Sequence, residues 1–444
     1  METEIKKSFV LGGGISGLAA LNLLSQKGFS ASLVDRSAEN AVLDTEELAS
    51  KLLKPEDVDK IVKSPGVSPS HPWLVLARER GISIISEIDL AKSFYKNRIL
   101  GITGTDGKST TTALTAHLLK TNYPTVVPGG NIGKAFSEIC LSDHEMVVLE
   151  LSSYQLEDSQ SLNLESSAIL NIAPDHLERH GNLENYIRAK VKIVDQNNPD
   201  HHLITKNDTW LQISPYLENC KCKIWKFGFD PDSDAFIYLE KKIIRTRNYE
   251  YSFHEFSLEG THNYENLAAA ILLAESMSAD PESIADQIKT FQGLNHRFEK
   301  VLKANQWNFI NDSKSTNLHS LLAWLENYDL KNGNLHLLLG GRPKGESMEH
   351  LVSILQKIPG HFYIYGEART QWKKDFQILG NRVSYPETMT EALIQIRSLW
   401  TRDPESMNQV ILSPACASFD QFKNFEERGN HFKSLITALF SGVE

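Results

Sequence analysis

The chain has 444 residues, which is too long for a single hydrophobic core of ordinary size, so we expect about three domains. Its 46 Lys and Arg residues against 56 Asp and Glu residues give a formal net charge of −10, which argues against a broad surface for nucleic acid. The four cysteines, Cys140, Cys220, Cys222 and Cys416, form no C-x-x-C motif. This cysteine usage fits a reducing cytoplasm better than an oxidising compartment.

The N-terminal apolar stretch from Phe9 to Leu24 follows a pair of lysines, as in a secretory signal. Glycines interrupt the stretch and no small-residue cleavage site follows it, so we expect a strand, a turn and a helix instead. No segment approaches the roughly 18 consecutive apolar residues that a membrane span requires. We therefore expect a cytoplasmic protein without membrane insertion.

The first segment of the chain alternates short apolar strands with a helix, and prolines mark the loop between the later strands. This alternation predicts a doubly wound α/β domain of the Rossmann type over residues 1–93. The predicted elements are strands at 8–11, 31–35, 60–63 and 82–85 and a helix at 16–26.

A glycine-rich turn at residues 12–17, GGGISG, joins the first strand to the first helix and matches the dinucleotide fingerprint G-x-G-x-x-G. Asp35 ends the next strand, where an acid can bind a ribose or a base. One interpretation is an NAD-linked oxidoreductase. Another is a site for a different nucleotide diphosphate, because the same scaffold accepts any of them and a second nucleotide loop follows in the chain.

The second nucleotide loop lies at residues 101–112, GITGTDGKSTTT, between a short strand and a helical run at 113–119. Glycines let backbone N–H groups approach phosphate oxygens, the helix N-terminus favours negative charge, Lys108 neutralises it and Ser109 reaches a metal ion. Ile102 stands where the general Walker pattern has its first glycine, so the spacing here is narrower. The arrangement predicts an ATP site, and the alternative is a Gly- and Thr-rich loop with an exposed lysine.

The second series continues to residue 294 and a third runs over 295–444, which predicts a central P-loop domain and a C-terminal Rossmann-like domain. Glu150 ends an apolar strand, where its carboxylate oxygens suit Mg²⁺. The pair Asp175-His176 could bind a ligand or cap a helix. The strands predicted in these series lie at 98–100, 146–150, 168–171, 307–311, 335–339, 362–365 and 409–412, and the helices at 182–196 and 260–278.

Several motifs occur in the order seen in the Mur ligases of peptidoglycan synthesis, and the chain resembles this family over nearly its whole length. The matching residues are 104–109, 129–133, 150–153, 175–176, 261–266, 296–299 and 311–317. The segment 412–425, LSPACASFDQFKNF, is similar to the signature of one member, which adds D-glutamate. The chain departs from the common pattern at Asp106, where asparagine is usual, and at Arg342, where an acid is frequent.

The resemblance implies an ATP-dependent ligase that forms an amide bond between D-glutamate and UDP-N-acetylmuramoyl-L-alanine through an acyl phosphate. Such a ligase supplies cytoplasmic peptidoglycan precursors for cell wall biogenesis, cell shape and cell division. The implied fold has three α/β domains in series. These are a Rossmann-like UDP-substrate domain, a central P-loop ATP domain and a Rossmann-like domain for the amino acid, in a monomer.

Carried over position by position, the resemblance also implies roles for individual residues. The catalytic residues would be Lys108, Asn131, His176 and Lys190. A pair of Mg²⁺ ions would be held by Ser109, Glu150, His176 and Lys190, the last as an Nζ-carbamate. ATP would contact Gly104, Thr105, Gly107, Lys108, Ser109, Thr110, Asn263, Asn266, Arg297 and Asp312. The UDP moiety would contact Ile15, Ser16, Asp35, Arg36, Gly66 and Asn131, and D-glutamate would contact Lys314, Thr316, Lys344, Ser418 and Phe425.

The carbamate at Lys190 requires more than the resemblance, because its local sequence is that of an ordinary helix lysine. Only a neutral amine takes up CO₂, so the pKa of the lysine must be lowered by burial or by nearby cations. A further alternative is a nucleotide-sensing module without turnover. The presence of Lys108, Glu150 and His176 argues against it.

Overall fold

The computed structural model describes residues 6–36, 41–160, 162–326, 328–400 and 406–440. The chain forms two compact units, which divide in sequence between Phe291 and Gln292. The first unit holds two sheets and the second holds one, so each of the three predicted α/β domains has a sheet of its own and the predicted fold class is confirmed. The domain boundaries at 93/94 and 294/295 stay predictions.

The first sheet consists of parallel strands in the order β3-β2-β1-β4-β5. Its strands are β1 (Lys7–Leu11), β2 (Ala31–Asp35), β3 (Val42–Leu43), β4 (Val58–Lys63) and β5 (Ser83–Ser86), and its helices are α1 (Ile15–Gln26), α2 (Glu46–Leu52), α3 (Pro72–Glu79) and α4 (Glu87–Phe94). Phe9 and Leu11 pack into one core cluster and Val10 into another, so both faces of the sheet are covered. Coverage of both faces explains why β1 is apolar without alternation.

The central sheet has the strand order β14-β13-β12-β11-β10-β9-β6-β8-β7. At one edge of this sheet, β13 pairs antiparallel with β12, and β14 pairs antiparallel with β13. Its strands are β6 (Arg98–Thr103), β7 (Val127–Gly130), β8 (Met146–Glu150), β9 (Ser166–Ile169), β10 (His202–Lys206), β11 (Lys223–Gly228), β12 (Ala235–Tyr238), β13 (Ile243–Arg245) and β14 (Glu250–Ser252). Its helices are α5 (Lys108–Leu119), α6 (Phe136–Ile139), α7 (Ser153–Asp158), α8 (Leu177–His180), α9 (Leu183–Val191), α10 (Asn207–Ile213), α11 (Thr261–Ser276) and α12 (Pro281–Thr290). Leu114 of α5 and Leu267 of α11 are fully buried in one core cluster, which packs the helix of the phosphate loop against the long helix.

Parts of the central region differ from the expectation. The helix expected to reach residue 196 ends at Val191, because the chain turns there and places Ile193 and Val194 in the core. The strands β7 and β10 to β14 were not predicted, and of these β12 to β14 are only three or four residues long. A disulfide joins Cys220 to Cys222, a pairing that the cysteine spacing did not suggest.

The second unit is built on a sheet in the order β15-β16-β20-β17-β18-β19, in which β15 is antiparallel to β16 and the other neighbours are parallel. Its strands are β15 (Glu299–Ala304), β16 (Trp307–Asn311), β17 (Asn334–Gly340), β18 (Gly360–Tyr365), β19 (Val383–Ser384) and β20 (Asn408–Leu412), and its helices are α13 (Leu318–Leu325), α14 (Glu349–Leu355), α15 (Ala368–Gln371), α16 (Met389–Trp400) and α17 (Phe425–Phe440). Across the described ranges, none of the helices combines the length and the apolar character that a bilayer crossing needs.

Candidate functional site

A cleft of about 650 Å³ opens in the first unit between the first sheet and the central sheet. Most of its wall is formed by segments that follow the carboxyl ends of parallel strands, which is where open α/β sheets bind ligands. The lining residues are 12–16, 35, 64–67, 108, 130–131, 133, 152–155, 175–176, 186 and 190.

The cleft collects most of the residues that were predicted for the UDP moiety and for catalysis. Those that line it are Ile15, Ser16, Asp35, Gly66, Lys108, Asn131, His176 and Lys190. Arg36 does not line it, because the Arg36 side chain is 81% exposed and its Nε lies 3.3 Å from Asp44 Oδ2. The contact between Arg36 and UDP stays a prediction.

The glycine-rich turn after β1 forms one end of the cleft. Gly13 N donates to Asp35 Oδ2 at 2.7 Å, and Ser64 Oγ donates to Gly12 O at 3.0 Å. A Cβ on Gly17 would lie 1.9 Å from Gly12 O, so only glycine lets α1 approach the turn this closely. Helix α1 begins without a side-chain cap, which leaves its N-terminus suited to a diphosphate.

The phosphate loop between β6 and α5 contributes Lys108 to the wall of the cleft. Lys108 Nζ donates to Gly104 O at 2.9 Å and to Thr105 O at 2.6 Å, so the lysine folds over its own loop. Gly107 has φ +80° and a Cβ there would lie 2.3 Å from Asn266 Oδ1, which also accepts a hydrogen bond from Thr111 Oγ1 at 3.2 Å. Asn266 thus packs against the loop from α11. Ser109 and Thr110 lie in the first turn of α5.

Asn171 and Tyr186 shape the phosphate loop and were missed by the sequence reasoning. Asn171 Oδ1 accepts from the backbone N–H groups of Thr105 at 3.0 Å and Asp106 at 2.8 Å. The Tyr186 hydroxyl lies 3.1 Å from Thr105 Oγ1. The available signal for Asn171 was its place directly after an apolar run, the same place that drew attention to Glu150.

Glu150 is almost completely buried at the end of β8. Its Oε1 accepts from Asn131 Nδ2 at 2.8 Å, whereas its Oε2 is buried without a hydrogen-bond partner. An unpartnered buried carboxylate oxygen is costly unless a cation or a ligand satisfies it. The site therefore fits a hard cation such as Mg²⁺. Among the described residues, however, no three His, Cys, Asp or Glu side chains are already arranged as metal ligands.

His176 and Lys190 supply different chemistry to the same wall. His176 adopts φ +52°, a left-handed conformation uncommon for a side-chain-bearing residue, and its side chain is half exposed in the cleft. Lys190 is buried and donates from Nζ to Gly104 O at 2.7 Å and to Thr103 Oγ1 at 3.3 Å. Burial, together with the nearby Lys108 cation, holds the pKa of Lys190 well below its usual value, which favours the neutral amine.

In the second unit, residues predicted for ATP and D-glutamate follow the carboxyl ends of β16 and β20. Asp312 Oδ2 accepts from Ser315 Oγ at 2.6 Å and from Ser413 Oγ at 2.8 Å, and burial raises the pKa of Asp312 to about 6. Lys314 Nζ lies 4.0 Å from the centroid of the Phe425 ring.

The other predicted residues of this unit occupy different surroundings. Arg297 precedes β15 by two residues, and its cation favours the ionised form of Asp312. Ser418 is buried after β20, whereas Lys344 lies on an exposed loop after β17. In the first unit, Asn263 Nδ2 donates to Glu259 O at 2.7 Å near the start of α11.

A fully buried arginine, Arg428 in α17, was also missed. Its Nε donates to Ser313 Oγ at 3.0 Å, and its terminal nitrogens donate to Ser313 O at 2.8 Å and Cys416 O at 2.9 Å. Arg428 thus holds together the loops after β16 and β20. The signal in the sequence was a charge on the apolar face of a helix, one turn from Phe425 and Phe432.

Two glycine-rich loops suited to phosphates contribute to one cleft, and the buried Glu150 carboxylate binds Asn131 of its wall. These features define an α/β enzyme that handles nucleoside polyphosphates. The sequence matches the Mur ligase middle domain over residues 102–274 and the Mur ligase MurD-like N-terminal domain over residues 6–86. The chain belongs to the Mur ligase family. This membership argues against the NAD-linked oxidoreductase interpretation of the first glycine loop.

The relatives are similar along the full chain. A UDP-N-acetylmuramoylalanine–D-glutamate ligase from Leptospira interrogans is 43% identical, with 99% of this chain and 98% of the relative covered. The protein of the same name from Leptospira borgpetersenii is 44% identical, with 97% and 96% covered. Among solved structures, MurF from Acinetobacter baumannii has a TM-score of 0.61 at 17% identity, with 92% of this chain and 90% of that chain covered, which shows likeness of fold.

The geometry at Gly107 predicts that Gly107→Ala weakens the ATP site. The substitution combines a positive φ with a Cβ 2.3 Å from Asn266 Oδ1, so the loop or α11 must shift. We expect ATP affinity to fall by about tenfold or more, measured by calorimetry. Gly28→Ala is the matched control, because Gly28 has φ +78° but open space around it. Equal ATP affinities in the two variants would contradict the prediction.

The environment of Asp312 predicts a pH-dependent stability difference. The folded-state pKa of about 6 lies above the ordinary pKa of an aspartate, so the folded wild type loses stability as the pH rises towards and through 6. Asp312→Asn removes this loss, and the variant should gain up to about 3 kcal/mol over the wild type between pH 4 and pH 7.5. Urea unfolding at both pH values measures the difference. A pH-independent difference would be inconsistent with the raised pKa.

Proposed function

We propose that this Mur ligase joins D-glutamate to UDP-N-acetylmuramoyl-L-alanine with conversion of ATP to ADP and phosphate, as a step of peptidoglycan precursor synthesis in the cytoplasm. The observation that carries the proposal is that the glycine turn of the first sheet and Lys108 of the phosphate loop line the same cleft. A ligase of this kind needs a nucleotide-linked acceptor and ATP at one place. The choice of D-glutamate as the amino acid substrate follows from the names of the relatives. The monomeric state of the protein stays a prediction.

The two loops divide the phosphates between them. The turn at residues 12–17 and the N-terminus of α1 bind the diphosphate of the UDP substrate, with Asp35 towards the nucleoside. Residues 104–109 and the N-terminus of α5 bind the phosphates of ATP. ATP draws Lys108 away from the Gly104 and Thr105 carbonyls, since an ammonium group prefers the anionic phosphate oxygens.

The substrate carboxylate attacks the γ-phosphorus of ATP, the bond to the bridging oxygen breaks, and an acyl phosphate and ADP form. The amine of D-glutamate then attacks the acyl carbon, and phosphate leaves as the amide forms. Both reactants of the first step are anions, so the protein must offset their repulsion. Lys108 provides a cation there, and Asn131 and His176 steady the carboxylate from the cleft wall.

Ser109, Glu150, His176 and a carbamate on Lys190 would hold Mg²⁺, whose bound charge neutralises the phosphates. Glu150 is prepared for this role by its unpartnered Oε2, while Asn131 fixes its other oxygen. Lys190 is prepared by burial, which keeps the amine neutral and nucleophilic towards CO₂.

D-glutamate binds in the second unit at Lys314, Thr316, Lys344, Ser418 and Phe425. Cationic and hydroxyl donors suit a dicarboxylate. The Phe425 ring keeps Lys314 in place through a cation–π contact, and Arg428 fixes the loops that carry Lys314 and Ser418. Arg297 and Asp312 are the residues of this unit that we propose to bind ATP.

The amino acid preference is tested by ADP release with UDP-N-acetylmuramoyl-L-alanine while D-glutamate, L-glutamate, L-alanine and meso-diaminopimelate are offered in turn. We expect release with D-glutamate alone, because Lys314 and Lys344 suit a dicarboxylate and the relatives are named as D-glutamate ligases. Lys108→Ala is the control, and it should abolish release while the UDP substrate still binds. Faster release with another amino acid would overturn the proposed acceptor, and release by Lys108→Ala would remove the lysine from the mechanism.

The carbamate is tested at Lys190. Lys190→Ala should be nearly inactive, and acetate should restore part of the turnover by supplying carboxylate oxygens where the carbamate was. Chloride at matched ionic strength controls for screening. Lys192→Ala, at an exposed position after α9, is the matched lysine variant and should remain active.

A direct readout complements the activity. With ¹³C-bicarbonate, the wild type should show a carbamate carbon resonance that Lys190→Ala lacks and Lys192→Ala retains. Equal turnover of Lys190→Ala in acetate and chloride, together with no such resonance, would refute the carbamate.

A further inference from the structure

Four charged side chains form two ion pairs beside the cleft and take no part in the proposed chemistry. Lys63 ends β4, is 3% exposed and donates from Nζ to Asp158, the last residue of α7. Arg179 in α8 donates from Nε to Glu157 Oε2 at 3.0 Å. Both pairs are largely shielded from water, so salt screens them little.

Each pair lies next to a wall of the cleft. Residues 64–67 line the cleft directly after Lys63, and residues 152–155 line it at the start of α7. The terminal nitrogens of Arg179 each lie 3.5 Å from the Val67 carbonyl, and its guanidinium carbon lies 5.2 Å from the centroid of the Tyr154 ring. Arg179 therefore touches the loop after β4 and helix α7 from its own position in α8.

Helix α8 depends on such contacts because it is only four residues long. His176, the residue before it, is held at φ +52°, a conformation that persists only when its surroundings impose it. His180 is the buried residue of α8 and its Nε2 lies 3.0 Å from Ser153 Oγ, which ties α8 to α7. Arg179 adds the tie to the first sheet, through Val67.

We propose that Arg179 is a positioning residue that couples binding of the UDP substrate at residues 64–67 to the placement of His176. The inference rests on the proposed function. A substrate that orders residues 64–67 fixes the Val67 carbonyl, which holds the guanidinium and, with Glu157, the start of α8. By linkage the effect is reciprocal, so occupancy of the ATP and metal site next to His176 tightens the UDP substrate.

The test measures this coupling directly. The Kd of UDP-N-acetylmuramoyl-L-alanine is determined by calorimetry with and without a saturating non-hydrolysable ATP analogue and Mg²⁺. We expect the wild type to bind the substrate about tenfold more tightly with the analogue present. In Arg179→Ala the ratio should fall to about one and kcat by on the order of a hundredfold, while affinity for the analogue alone stays within about threefold.

The controls separate positioning from loss of structure. Arg188→Ala removes an arginine of α9 that forms an exposed pair with Glu184 at 2.8 Å, and it should leave the ratio unchanged. Arg179→Lys keeps the charge but loses the forked geometry and should give an intermediate ratio. If Arg179→Ala does not fold, the same binding ratio is measured in Glu157→Gln and in Arg179→Lys. The variant that combines both substitutions should lose no more coupling than the more affected single variant, because the two residues act through one ion pair.

A wild type without coupling, or an Arg179→Ala variant that keeps it, overturns the inference. These outcomes differ from a failure of the proposed function. In that case the wild type releases no ADP with D-glutamate, whatever the ratio of its substrate affinities. Loss of coupling with unchanged kcat would also reject a link to His176.

Discussion

The site in the first unit depends on one carbonyl oxygen, that of Gly104, which accepts hydrogen bonds from both Lys190 and Lys108. These bonds join α9 to the phosphate loop and place the two amines close together. Two ammonium ions so near each other would repel, and Lys190 is the buried one, so burial and the Lys108 cation lower the pKa of Lys190. Loop geometry and lysine chemistry are thus set by the same contact.

The arrangement around this contact follows from parallel strands. Their carboxyl ends lie at one edge of a sheet, so Ser152 after β8 and His176 beyond β9 line the cleft that Lys108 lines after β6, and Glu150 at the end of β8 binds Asn131 of its wall. The first sheet presents Asp35 and residues 64–67 by the same rule. His176 takes its positive φ at the cleft, whereas the two faces of the central sheet are covered by packed helices.

Much of this was predictable from sequence, because the informative signals are local. Glycine turns, apolar strands and strand-end acids each occupy a few residues, and they placed Gly107, Glu150 and Lys108 correctly in relation to the strands. The contacts of Arg428 and Arg179 were not predictable, since their partners are remote: Ser313 lies 115 residues from Arg428, and Val67 lies 112 residues from Arg179. The end of α9 was missed because the burial of the residues after it, and not local propensity, ends the helix.

The proposed carbamate would invert the charge at Lys190. A carbamate would replace a neutral amine by an anion in a buried position, which is unfavourable unless cations surround it. Lys108 lies beside it, and its influence changes sign: the cation that disfavours a protonated Lys190 favours a carbamylated one. Glu150 adds a second buried anion with an unpartnered oxygen. Two such anions and one lysine leave a net negative charge, so the proposed function implies that lysine modification and binding of a divalent cation favour each other.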